Sequence, residues 1–385
     1  MRKLKVALVH DYLVTFGGAE RVLLALHEIW PEAPVYLALV DPKALGKHWA
    51  YFKGWDLRPS WFQKIPGARK LISPLRFLLP LVWESFDFSA YDLVISSSAW
   101  AIPKGIIAKP DTLHICYCHT PPRFLYYYPG ARPWQKYWPV RVYAAVVNHF
   151  LRFWDYLSSQ RVDYFLANSQ EVAARIKKFY RREAVVIPPP VIQKLPTTNI
   201  QAPTTVQQSF YLYVSRLVAY KHPELAIKAC QQLGRKLVIV GDGPMRKQVE
   251  ALAQQEGKIN YLGRISDRKL WQLYQRCRAV IFPVEQEDFG IVPLEAAAFG
   301  KPTIAYYSGG AKETVLEGKT GLFFRQLTVE SLVAAIKKLE ATSFSAADCR
   351  RWARKFSETQ FKTQILALVE KLMAQREEER ASRVS

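Results

Sequence analysis

Two successive doubly wound α/β domains are the fold class this sequence predicts, and three observations carry that reading. The chain has 385 residues, more than one hydrophobic core usually organises, and half of them are hydrophobic, as a folded rather than a disordered protein requires. Short apolar runs alternate with helical stretches up to about residue 190, and a second such series starts near Phe210. Between the two, Pro188–Gln208 is rich in Pro, Thr and Gln with hardly an aromatic residue, the composition of an exposed linker.

In the first half, strands are expected at Leu4–Val9, Val35–Val40, Leu93–Ser96, Leu113–Cys118, Asp163–Asn168 and Ala184–Ile187. Helices Gly18–Trp30 and Ser169–Tyr180 fall between them. Strand, helix, strand in repetition implies a parallel sheet covered on both faces. In the second half the strands are Phe210–Ser215, Lys236–Gly241, Lys258–Leu262, Ala279–Phe282 and Thr303–Tyr306. Helices follow near Pro223–Leu233, Pro244–Glu256, Asp267–Arg276, Val292–Phe299, Val329–Leu339 and Ala346–Phe356. Such sheets bind ligands outside the carboxyl ends of their strands.

Composition narrows the function classes. Lys plus Arg number 54 against 33 Asp plus Glu, a net charge of +21, which draws the chain toward something anionic: nucleic acid, a membrane surface or a phosphorylated substrate. Residues 43–83 hold eight cations and the single acid Asp56, interleaved with Trp49, Tyr51, Phe52, Trp55, Trp61, Phe62, Phe77 and Trp83. Arg123–Trp154 repeats the mixture, with Tyr126, Tyr127, Tyr128, Trp134, Tyr137, Trp138 and Trp154 among five basic residues. Both segments are read as docking on anionic lipid, the alternative being that the aromatics build the core. No apolar run approaches the about 18 residues of a membrane span, and Met1-Arg2-Lys3 leads into a strand without a leader pattern. Five cysteines form no disulfide framework; Cys116 and Cys118 beside His114 and His119 lack the second ligand cluster of a closed metal site, so reduced thiols are expected.

One stretch outweighs the rest. At Phe282–Thr303 a buried strand ends at Pro283, and a loop with Glu285, Glu287 and Asp288 leads through Phe289-Gly290 and Ile291 into a short helix. Pro293 stands near the start of that helix and Gly300 just past its end. A helix N-terminus directly after a strand suits a phosphate, and Glu287 and Glu295, eight residues apart, can accept from paired hydroxyls of a sugar or ribose. Taken alone, the loop is equally a strand–loop–helix unit with surface acids.

Glu-x7-Glu framing Phe-Gly, then Pro-Leu-Glu-Ala and Phe-Gly-Lys-Pro, resembles the donor-sugar motif of the retaining GT-B glycosyltransferases, family four. The resemblance implies two Rossmann-like domains facing across a cleft. Residues 1–190 would be the acceptor domain and 191–358 the nucleotide-sugar domain, with helices at about 359–385 crossing back and a tail from Gln375 that frays. It also implies roles residue by residue. Arg216 and Lys221, an Arg-x4-Lys pair after a strand, grip the donor diphosphate, where the bare residues allow two solvated cations. Gly17 and Gly18, opening the first helix after His10-Asp11-Tyr12, match a Gly-Gly loop that closes over the diphosphate. Gly241, in Val240-Gly241-Asp242-Gly243-Pro244, is a turn glycine that the family places in the donor site. Arg264 and Ile265 match the nucleobase loop, and Asp267 either accepts from the edge of guanine, favouring GDP, or caps the following helix. His119, in Cys-His-Thr-Pro-x-Arg, resembles a His of the mannosyltransferases that lies by the hexose, as does Glu287. Ser308-Gly309-Gly310 and Glu313 fit as structural neighbours.

The activity implied is retaining transfer of a hexose, GDP-mannose being the favoured donor, to a lipid-linked or glycan acceptor at the cytosolic face of a membrane. No Asp-x-Asp metal motif occurs, so cationic side chains are expected to replace a metal as the leaving diphosphate gains charge, with no cofactor. Competing readings are a nucleic-acid-binding protein, which leaves Glu287 and Glu295 unexplained, a sugar-nucleotide binder without transfer activity, and a transferase using a UDP-sugar.

Overall fold

A computed structural model describes residues 4–128, 137–191, 210–254 and 257–384. The expected linker is therefore, apart from residues 188–191, outside the described residues, as are Met1-Arg2-Lys3 and Trp134. Two compact units result, one of residues 4–128, 137–190 and 358–384, the other of 191 and 210–357 as described.

In the first unit, strands β1 (Val6–His10), β2 (Val35–Leu37), β3 (Leu57–Pro59), β4 (Leu93–Ser98), β5 (Leu113–Cys118), β6 (Tyr164–Ala167) and β7 (Ala184–Val186) form one parallel sheet, ordered β3-β2-β1-β4-β5-β6-β7. Its helices are α1 (Gly18–Ile29), the short α2 (Pro42–Leu45), α3 (Ala68–Leu71) and α4 (Leu79–Glu84), then α5 (Trp138–Gln160) and α6 (Gln170–Tyr180). In the second unit β8 (Phe210–Val214), β9 (Lys236–Val240), β10 (Ile259–Tyr261), β11 (Ala279–Phe282), β12 (Thr303–Tyr306) and β13 (Gly321–Phe324) are ordered β10-β9-β8-β11-β12-β13, again all parallel. Its helices are α7 (Pro223–Gln232), α8 (Arg246–Gln254), α9 (Asp267–Arg276), α10 (Ile291–Ala298), α11 (Ala311–Thr314), α12 (Val329–Glu340) and α13 (Ala346–Arg354); α14 (Glu358–Val384) ends the chain.

Apolar runs become central strands because both faces of each sheet are covered. Val6 and Leu8 of β1 join one buried cluster while Ala7 and Val9 join another, the period of two a strand imposes. In β8, Tyr211 and Tyr213 face one cluster and Leu212 the other. In each sheet the strand order reverses once, between β1 and β4 and between β8 and β11. At such a reversal neighbouring connections leave in opposite directions and open a crevice at the carboxyl ends.

Three expectations need correction. β3 and β13 were not foreseen, since three or four residues carry too little pattern; Gly321 opens β13 where a Cβ would sit 2.0 Å from the Thr303 carbonyl oxygen. The segment Arg123–Trp154 contains much of the 23-residue α5, which Pro139 at its first turn permits. The tail expected to fray from Gln375 is helical as far as Val384, as the continuation of α14. Phe361, Ile365, Val369 and Leu372 bury one stripe in the cluster shared with α1, Lys362 pairs with Glu28, and Arg376 donates to the Pro110 carbonyl at 3.0 Å.

Candidate functional site

The second unit's switch point gathers the charged residues. Leaving β8, the chain passes exposed Arg216 and makes a tight turn at Ala219–Lys221, whose last carbonyl accepts from the Tyr213 hydroxyl at 3.0 Å. Across the strand reversal, the loop leaving β11 is tied to this turn by the Glu285 amide donating to the Tyr220 carbonyl at 3.0 Å. The tie brings the Lys221 ammonium onto the Glu287 carboxylate as an ion pair. Half-buried His222 lies between Glu224 at 3.2 Å and Glu285 at 3.7 Å, and its hydrogen bond to Glu224 raises its pKa. Sequence reading passed over His222, because a histidine before Pro carries no signal of its own.

The Glu287 loop is held by backbone contacts that only glycine admits. Gln286 takes a left-handed φ of 51° while its amide donates to the Ser308 hydroxyl at 3.0 Å. The Gly310 amide donates to the Glu287 carbonyl at 2.8 Å, and a Cβ on Gly309 or Gly310 would lie 2.3 Å and 2.5 Å from the backbone of Glu287 and Phe289. Ser308-Gly309-Gly310 thus forms the floor under Glu287. Phe289 is buried against Leu294 and Phe356, and Gly290, at φ 97°, stands at the N-cap of α10, where it offers no side chain of its own to the first-turn amides. That leaves the helix start at Ile291 as the kind of amide cluster that receives anions. Glu295, one helical turn on, accepts from the buried Tyr274 hydroxyl at 2.8 Å.

Gly241 and Gly243 lay the next turn flush on the Arg216 loop: a Cβ at Gly241 would meet the Ser215 carbonyl oxygen at 1.8 Å, one at Gly243 the Leu217 oxygen at 2.3 Å. Beside them a depression of about 400 Å³ is lined by Asp242, Tyr261, Leu262, Gly263 and Arg264, among others. Arg264 is exposed, 3.5 Å from the Asp242 carboxylate, whereas the Ile265 side chain packs into the core. The helix cap falls to Ser266, whose hydroxyl accepts from the Lys269 amide at 3.3 Å. Asp267 sits in the first turn and is not the cap.

The first unit's switch point is built differently. At its centre the Ser97 hydroxyl, in β4, bridges His10 Nδ1 at 3.0 Å and His119 Nε2 at 2.8 Å. Asp11 is buried and accepts from the amides of Ala99, Trp100 and Ala101 at 3.1, 2.6 and 3.1 Å, which shapes the loop leaving β4; burial raises its pKa against those bonds and the charge of His10. Desolvation, with His10 adding to it, pushes the His119 imidazole down to about 3, so the ring is neutral at physiological pH. Gly17 has an extended φ of −156° and its amide donates to the Glu20 carboxylate at 2.7 Å; Gly18 begins α1. Ser97 carried no motif in the sequence, and Asp11 and Glu20 stood within the matched stretch 10–20 without a role of their own. Cys116 and Cys118 are buried in β5, where burial pushes the Cys116 thiol up to about 12, and the His114 ring meets Ser96 at 2.8 Å.

Comparison with known proteins matches residues 16–193 to the family described as Glycosyltransferase Family 4 and residues 197–356 to the family described as Glycosyl transferases group 1. The chain belongs to the GT-B glycosyltransferases of family four. The transferase is 30% identical to O-antigen chain mannosyltransferase C of Escherichia coli over 209 residues, 52% of this chain and 55% of that one. It is 32% identical to a GDP-mannose-dependent alpha-(1-6)-phosphatidylinositol monomannoside mannosyltransferase of Mycolicibacterium smegmatis over 187 residues, 44% of this chain and 48% of that one. The chain thus spans about half the length of these two relatives. In fold, the transferase superimposes on the sucrose-phosphate synthase of Thermosynechococcus elongatus with a TM-score of 0.71 at 17% identity, covering 96% and 99% of the two chains.

Proposed function

We propose that this glycosyltransferase moves mannose from GDP-mannose to a lipid-linked or glycan acceptor with retention of configuration, at the cytosolic face of an anionic membrane. The observation that carries the donor assignment is the placing of Arg216, Lys221, Glu287 and the glycine-capped start of α10 at one switch point. Glu287 accepts from hexose hydroxyls, held there by Lys221 and the Ser308–Gly310 floor. As the bond from sugar to diphosphate breaks, negative charge grows on the leaving oxygens. Arg216, Lys221 and the α10 amides stabilise that charge more in the transition state than in the bound donor, which is what accelerates the step. In this reading those cations do the work a metal does elsewhere. A ring held near 3 is a poor proton acceptor at pH 7, so His119 orients the hexose and the leaving oxygens take the acceptor's proton. The GDP-mannose dependence and the phosphatidylinositol monomannoside in the name of the Mycolicibacterium relative support donor and acceptor class.

A thermal-shift panel of GDP, UDP, ADP and their sugars tests the donor. Preferential stabilisation by GDP-mannose is the expected result. A larger shift with a UDP-sugar would replace the donor, and no shift with any of them would remove the assignment.

A further inference from the structure

Helix α5 points the wrong face at solvent. On an amphipathic surface helix the outward stripe is polar. Here Trp138, Val142, Val146, Phe150, Phe153 and Leu157 follow one another at steps of four, four, four, three and four, and their exposures run from 42% to 73%. That spacing keeps all six on one side of a helix about 34 Å long. Exposed apolar residues are ordinary singly; a continuous row over five turns marks an interaction surface.

The helix is not loosely placed. Its inner side carries Asp155, fully buried in an ion pair with Lys104, whose ammonium also lies 4.7 Å from the Tyr180 ring; Tyr126 donates to the same carboxylate at 2.6 Å. Asn148 accepts from Arg76 at 3.0 Å and Trp154 donates to Glu84 at 3.0 Å. Breaking a buried pair such as Lys104–Asp155 is costly, so the outward direction of the stripe is fixed.

Charge says what the stripe meets. Asp155 is the only carboxylate on α5 and faces inward, while Arg141 and Arg152 are its cations. The segment it packs against, residues 57–84, has five cations and one carboxylate, Glu84, which Trp154 and Arg161 occupy, and it exposes Phe77 and Leu81. A second copy of this surface would set cations against cations; an anionic bilayer complements both the apolar row and its rim. Among the described residues no helix is long and apolar enough to span a membrane, so the element lies in the interface plane.

We propose that the outer face of α5 inserts into an anionic phospholipid bilayer, with Phe150 and Phe153 at the middle of the inserted row. The inference rests on the membrane-acting reading above and narrows it. The aromatics of residues 43–83 divide between core and surface: Phe52, Phe62 and Trp83 are buried and Trp49 and Trp55 pack on the core, while Tyr51, Trp61 and Phe77 are exposed; docking combines apolar insertion with charge.

The test is flotation of the full chain with vesicles of phosphatidylcholine alone or mixed with phosphatidylglycerol, at low and high salt, for wild type and the double variant Phe150→Ser/Phe153→Ser. Wild type should float with the anionic vesicles and keep a measurable part of that binding at high salt, because insertion is not screened. The variant should lose about tenfold or more in partitioning with its GDP-mannose thermal shift unchanged. Equal flotation of the two proteins would overturn the proposal. So would a wild-type dimer that the substitutions make monomeric without any vesicle binding. A missing nucleotide-sugar shift in wild type would count against the donor reading alone, since flotation is read independently of it.

Discussion

The two units share one sheet topology and fill its reversal point with opposite chemistry. In the second unit the loops leaving β8 and β11 bring together formal charges, Lys221 on Glu287 with Arg216 and His222 alongside. In the first, the ends of β1 and β4 and the residue after β5 bring together two imidazoles and a hydroxyl, His10–Ser97–His119, with Asp11 spent on backbone amides. The fold supplies the crevice, and in the proposed reading the side chains set one switch point to take a diphosphate and the other to orient hydroxyl-bearing groups. That contrast is open to attack from both sides.

The largest effect is expected where charge is removed. Lys221→Ala, Arg216→Ala and Glu287→Ala should each lower kcat for transfer by about a hundredfold to a thousandfold, with circular dichroism and melting temperature near wild type. Full activity in any one of them would erase its role. Next comes the floor beneath Glu287. Gly310→Ala puts a methyl group where the Phe289 backbone lies and must move the loop, so a drop of about a hundredfold in kcat/KM is expected. An unchanged rate would mean that the position of Glu287 matters little.

Smaller effects belong to the neutral side. Ser97→Ala removes the bridge between His10 and His119 and should lower kcat/KM by about tenfold, without creating an acid limb between about pH 5 and pH 8. A new limb there would show that His119 titrates in that range after all. Stability should report the same neutrality. Burial holds His114 and His119 down to about 3, against about 6.5 for the unfolded chain. The unfolded state therefore takes up the protons. The contribution is complete above about pH 6.5 and is lost as pH falls toward about 3, at up to ~1.4 kcal/mol per pH unit for each ring. Urea unfolding at several pH values should show a shallower slope for His119→Asn than for wild type.

How much of this was legible beforehand divides along the same line. The charged switch point was readable because its parts sit in two short runs, Arg216 to Lys221 and Glu287 to Glu295, whose spacing after apolar strands carries meaning. The glycines at 241, 309 and 310 were visible as turn residues, but only the positions of Ser215, Glu287 and Phe289 show why a Cβ is excluded there. The His10–Ser97–His119 network was not readable. Ser97 lies 87 residues from His10 and 22 from His119, and a serine at a strand end looks like any other. Asp11 was seen as part of a strand-end triplet, yet its three acceptor bonds span about 90 residues. Helix α5 hid for another reason. Its apolar residues were counted as an aromatic surplus, while the stripe they form shows only once Asp155 and Asn148 fix which side is inside.

The central claim is that the second unit's switch point receives the donor's diphosphate, and calorimetric titration of GDP into wild type and Lys221→Ala tests it most directly. The account predicts that losing the ammonium weakens GDP binding by about tenfold or more. Equal affinity in the two proteins would contradict it.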